Sequence, residues 1–125
     1  MKRGHVQTYG DWLAGCDNLA SCTLLGFPEP LAAIDGDFAV QGWALRFTFA
    51  VDDKTLGEWV PLSGGVPSML PAEETARLLL LLGAGHSAGD PVRKAGIPSG
   101  EFSRALKALR QRKAELRSRR AAPVR

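Results

Sequence analysis

The chain has no long apolar run. Its longest unbroken aliphatic stretch is Leu78 to Leu82, against the ~20 apolar residues of a membrane-spanning helix, so no transmembrane segment is expected. It holds two cysteines, too few for a four-cysteine zinc site or a disulfide-dense mini-protein. Its two histidines, His5 and His86, lie in unrelated segments without metal-ligand spacing. Ser63-Gly64-Gly65 is followed by no Gly-Lys-Ser/Thr, which excludes a phosphate loop, and no nucleophile elbow supports a Ser–His–Asp or Cys–His arrangement. Asp35, Asp37, Asp52 and Asp53 lack the EF-hand spacing and its closing glutamate, so turns are expected there rather than calcium. Met1-Lys2-Arg3 starts like a secretory leader, but no apolar stretch or cleavage site follows. A removed leader and a cytoplasmic chain both stay open. No enzyme, cofactor or metal is expected.

What is present is enough for one core. At 125 residues, 45% hydrophobic and 23% charged, a chain of this size buries roughly two-thirds of its unfolded surface. The net charge of +3 hides an asymmetry. Residues 1–92 carry five Lys/Arg and eleven Asp/Glu, whereas residues 93–125 carry eleven Lys/Arg and two Asp/Glu.

Along the chain, Val6–Tyr9 reads as a short strand stopped by Gly10-Asp11. Trp12, Leu13 and Ala14 lead into the turn chemistry of Asp17-Asn18, and Ser21–Gly26 returns, so the first 27 residues form a hairpin with a cysteine on each arm. Asp35-Gly36-Asp37 is a tight turn. Trp43, Leu45, Phe47, Phe49 and Val51 occupy alternate positions, the period of a half-buried strand. Asp52-Asp53-Lys54 turns the chain, and Glu58–Leu62 returns, ending or lying at an edge because Pro61 has no N–H. Pro71 opens a helix through Leu82, with Glu73 and Glu74 at its positive end and Gly83 as its stop. Its five leucines require cover nearly all round. Gly83–Pro98 reads as a long flexible connection. Ser99 caps a second helix with Glu101 in its first turn; Phe102, Leu106, Leu109 and Leu116 make a narrow apolar stripe, and the chain frays beyond Arg117.

The expected fold is α+β: a small antiparallel sheet of four or five strands, one packed helix, and a basic C-terminal helix docked or partly detached. Residues 1–98 form the domain, and residues 99–125 the basic helix and tail. Arg104, Lys107, Arg110, Arg112, Lys113, Arg117, Arg119 and Arg120 are the candidate anion-binding residues, for nucleic acid or an anionic membrane surface. Against that stand a solvated helix face and the lack of aromatic residues among the cations. For Cys16 and Cys22 three states are open: a bridge between the arms, two free thiols, or a redox or metal pair, although a redox pair usually reads Cys-x-x-Cys. Asp17-Asn18 fits an Asx turn more simply than a catalytic acid and its partner.

The run from Tyr9 to Phe27 resembles the opening of the domain of unknown function 1176 family, bacterial and mostly secreted proteins. Trp12, Cys16, Asp17, Asn18, Cys22 and Gly26 fall in step with its Trp, Cys-Asp-Asn, second Cys and Gly-aromatic pattern. A looser similarity, in the Trp and paired Cys, extends to the invasion-associated locus B family. Leu70-Pro71-Ala72-Glu73-Glu74 is similar to a helix opening of the first family, and Ser99 to Leu109 loosely to another of its helices. The likeness covers the first half of such a protein, since members carry leaders and run more than twice this long; the Arg-rich ending is unlike them. The resemblance implies a Cys16–Cys22 disulfide, structural roles for Trp12, Asp17, Asn18 and Gly26, and a periplasmic or secreted location. The functional expectation is an exported, non-enzymatic domain acting through an unidentified protein partner. The alternative is an intracellular binder of nucleic acid or another anionic polymer through the basic helix.

Overall fold

Six antiparallel strands pair in the order in which they occur: β1 (Val6–Tyr9), β2 (Trp12–Cys16), β3 (Cys22–Gly26), β4 (Trp43–Phe49), β5 (Thr55–Pro61) and β6 (Ser68–Met69). Helix α1 (Ala72–Gly83), a separate ribbon of β7 (Ala88–Asp90) and β8 (Ala95–Ile97), and helix α2 (Phe102–Ala121) complete the α+β architecture. The computed structural model describes residues 6–28, 42–93 and 95–121. The turn expected at Asp35-Gly36-Asp37, His5, the side chain of Arg120 and the tail beyond Ala121 lie outside the described residues.

Period-two patterning places the core. Trp12, Ala14 and Cys16 on β2, Leu24 on β3, and Leu45, Phe47 and Phe49 on β4 are buried in one cluster with residues of both helices. Within residues 6–27 the strand at Val6–Tyr9 and the hairpin with a cysteine on each arm are both present, as β1 and as β2–β3. Gly10, at φ +60°, allows a two-residue turn between β1 and β2, so Trp12–Cys16 is a strand in its own right. Strand β4 stops at Phe49 rather than Val51, because the Ala50 carbonyl accepts the Asp53 N–H and the Ala50 N–H reaches the Lys54 carbonyl. Val51 is left exposed in that turn. Pro61 ends β5 as expected, but β5 is not an edge, since Glu58 and Trp59 pair with β6.

Trp12 is the meeting point of the layers. It sits opposite Gly26 in the β2–β3 register, and a Cβ on Gly26 would lie 2.6 Å from its ring and 2.8 Å from Ile97 of β8. Its indole N–H donates to the Pro98 carbonyl at 3.0 Å, and Phe102 meets it edge-on at 4.9 Å between centroids.

Those contacts explain where the chain departs from the sequence-based reading. Gly83–Pro98 is not a featureless connection: Ala88 and Ile97 are fully buried and β7 pairs with β8. Glu101 is not in the first helical turn. It adopts φ +68° ahead of Phe102, whose N–H reaches the Ser99 carbonyl, and this turn directs Phe102 into the core. The leucine run of α1 is covered on one side only. Leu78 and Leu82 are buried and Leu79 and Leu81 half-buried, while Leu80 is 74% exposed.

Helix α2 is docked, and it stays helical through Ala121 instead of fraying at Arg117. Phe102, Ala105, Leu109 and Leu116 are buried against the sheet. Lys113 is buried too, and its ammonium donates to the Ala20 carbonyl at 2.9 Å and the Ala50 carbonyl at 2.7 Å. One side chain thus ties α2 to the β2–β3 and β4–β5 turns, pairing the Ala20 carbonyl and adding a second donor to the Ala50 carbonyl, which already accepts the Asp53 N–H.

Gly26→Ala is expected to destabilise the fold by about 2–3 kcal/mol, because the methyl group must displace the Trp12 ring. Lys113→Met, which keeps the aliphatic stem but leaves the Ala20 carbonyl unpaired and takes one of the two donors from Ala50, is expected to cost about 1–3 kcal/mol. Arg110→Ala, on the solvent side, should change stability by less than about 0.5 kcal/mol. Urea unfolding of the three variants checks all of this.

Candidate functional site

The hairpin of β2 and β3 carries the densest set of candidate residues, and structure accounts for most of them. Cys16 and Cys22 face each other in register and are bridged, with Cα atoms 4.0 Å apart. A loop this short contributes about 2 kcal/mol through the lost entropy of the unfolded chain. Asp17 Oδ1 accepts the N–H groups of Leu19 at 2.8 Å and Ser21 at 3.0 Å, an Asx turn that holds Ala20 at φ +68°. Asn18 is exposed in that turn, and among the described residues its side chain makes no hydrogen bond that explains its identity. His86 is exposed after α1. Among the described residues no group of three or more His, Cys, Asp and Glu side chains is placed to hold a metal ion.

The basic residues of α2 divide into engaged and free. Arg104 pairs with Glu101 at 2.7 Å and lies 5.9 Å from the Tyr9 ring centroid. Arg112 pairs with Glu115 at 3.2 Å, and Arg117 with Asp53 at 2.9 Å. Lys113 is consumed by the two turns. Lys107, Arg110 and Arg119 are exposed and form no ion pair among the described residues. Half of the predicted anion-binding set is therefore occupied inside the domain.

A groove of about 240 Å³ runs between β1 and α2. Gln7 and Tyr9 line it from the strand, Ala108, Leu109 and Arg112 from the helix, and Cys16 from its floor. The Tyr9 hydroxyl donates to Gln7 Oε1 at 2.7 Å. On the other side of the sheet, Val6, Leu13, Thr23 and Leu25 border a shallower depression of about 400 Å³. Sequence reasoning placed neither, because both depend on which elements become neighbours. The one local signal was the uncharged run Val6-Gln7-Thr8-Tyr9.

A second polar cluster sits where the ribbon meets β4 and β6. Arg93 donates to Asp90 Oδ2 and Ser68 Oγ, each at 2.6 Å, and its guanidinium lies 4.9 Å from the Trp43 ring centroid. Burial raises the Asp90 carboxyl, but the Arg93 side chain and the Arg93 and Val92 amides outweigh it and hold the group below its ordinary range. This cluster fastens the β7–β8 turn and opens onto no cavity described above.

The chain matches no family model, no curated protein and no solved structure.

The lowered Asp90 pKa fixes a pH dependence. Its contribution to stability is complete above the unfolded-state value of about 4 and is lost as pH falls through the lower native value. Asp90→Asn should thus be less stable than the parent at neutral pH, and the gap should close towards about pH 2. Thermal unfolding of both proteins across that range measures it.

Proposed function

We propose that this chain is an exported domain that binds another protein and is not itself an enzyme. The Cys16–Cys22 bridge carries this reading: it closes the first turn of a motif whose Trp, Asp, Cys and Gly residues all serve the fold. Disulfides persist in oxidising compartments such as the periplasm or the cell exterior. The resemblance of Tyr9–Phe27 to a mostly secreted bacterial family points the same way. No helix among the described residues is long and apolar enough to cross a membrane. The open β1 edge and the groove beside it supply a surface for a partner.

Binding of nucleic acid or another anionic polymer through α2 is the second reading. Lys107, Arg110 and Arg119, exposed and unpaired among the described residues, favour it. It is the weaker one, since Lys113 is spent on the two turns and no aromatic residue interleaves with these three cations.

Intact mass and thiol titration of protein isolated from its native host without reductant separate the two. The exported reading predicts a mass two hydrogens below the reduced chain, no titratable thiol, and no retention on heparin at low salt. Two reactive thiols, together with salt-dependent retention, would replace it with the anionic-polymer reading.

A further inference from the structure

We propose that the open edge of β1 takes up an extended, acidic peptide segment by strand addition, with alternate side chains entering the groove between β1 and α2. This rests on the protein-binding reading above and names the partner's chemistry.

The backbone ladder shows which groups are open. The Asp17 N–H donates to the Ser21 carbonyl, and the Phe27 N–H to the Asp11 carbonyl, so β2 turns its odd-numbered residues towards β3. Bonded and non-bonded pairs alternate in an antiparallel ladder, so Trp12 and Ala14 turn towards β1. Their register partners are Tyr9 and Gln7. The remaining residues of the strand, Val6 and Thr8, therefore direct their N–H and C=O groups away from the sheet. Both are exposed, and no described element covers them. Such an edge templates another strand unless something prevents it.

The surroundings select the partner. Gln7 and Tyr9 share the α2 side of the sheet, because they oppose the buried residues Ala14 and Trp12. Arg104, Ala108 and Arg112 follow one another at intervals of one helical turn, and Arg104 and Arg112 stand beside Tyr9 and in the groove respectively. Their present partners, Glu101 and Glu115, are 41% and 60% exposed. Exposed pairs of this kind contribute about 0–1 kcal/mol and exchange readily for an incoming carboxylate. On the opposite side, Val6, Leu13 and Leu25 offer an apolar depression. An added strand finds arginines on one side and apolar surface on the other, which suits alternating acidic and aliphatic residues.

The same charges disfavour a second copy of this chain. Two β1 edges paired antiparallel about a twofold axis would place both α2 helices on one face of the joined sheet. The Arg104 and Arg112 rows would then meet across the seam, and like charges facing each other oppose the pairing.

The test uses the full oxidised chain and a capped heptapeptide, Thr-Glu-Val-Glu-Val-Glu-Thr, with a version carrying Lys for Glu as its counterpart. The acidic peptide should bind and slow amide hydrogen exchange at Val6 and Thr8, and the lysine peptide should bind at least about tenfold more weakly. Thr8→Pro removes an outward N–H without touching the β1–β2 ladder, so it should fold normally and lose the acidic peptide. Arg112→Glu should weaken the acidic peptide about tenfold and narrow its advantage over the lysine peptide. No binding at about 1 mM, equal binding of both peptides, unchanged binding to Thr8→Pro, or β1-mediated dimers of the parent would each overturn strand addition. Any of these in a chain whose native form carries the disulfide leaves the broader reading standing; free thiols in the native form sink the broader reading instead.

Discussion

Everything in this fold converges on the seat of the Trp12 ring. The indole occupies the space a side chain at Gly26 would fill, so β2 and β3 can pair closely under it only because residue 26 has no Cβ. From that seat, which Ile97 of the ribbon also borders, the ring donates to Pro98 and meets Phe102 at the start of α2. A sheet, a ribbon and a helix that are distant in sequence thus share one aromatic contact. Phe47 of β4 lies near both rings, at 6.5 Å from each, and extends the cluster across the sheet. The arrangement also explains why α2 begins at Phe102: the preceding turn must bring that residue beneath Trp12 while the Pro98 carbonyl is held.

Lys113 closes the far end of the same assembly. A buried ammonium is costly unless its donors are used, and here two turn carbonyls use them. The disulfide closes the β2–β3 turn immediately beside one of those carbonyls, so bridge, Asx turn and lysine act on a single short stretch of chain. What reads as a run of positive charge in the sequence is therefore a helix with three chemically different sides. One lysine is structural, several arginines pair locally with acids, and a few cations face solvent.

The legible parts of the fold were those set by local pattern. Alternation from Trp43 to Phe49, the acidic start of α1 and the turn chemistry at Asp17 all depend on neighbours in sequence, and the structure has them. The facing cysteines were legible as arms of a hairpin, but the register that bridges them was not. The ribbon was missed because Ala88-Gly89-Asp90 and Ala95-Gly96-Ile97 have weak strand preference; burial of Ala88 and Ile97 and the Arg93 anchor make them strands. Lys113 was placed among solvated charges because nothing local marks it. Its role appears only when two turns meet at one end of the sheet. The groove beside β1 was invisible for the same reason, since it exists only where the meander brings the first strand next to the last helix.

The most direct test of this account is the hydrogen exchange of the Trp12 indole N–H, followed by NMR beside those of Trp43 and Trp59. If Trp12 joins β2, β3, the ribbon and α2, its indole proton exchanges only through global unfolding, with a protection that falls in step with urea-measured stability. An indole proton that exchanges freely while the sheet amides stay protected would contradict the account.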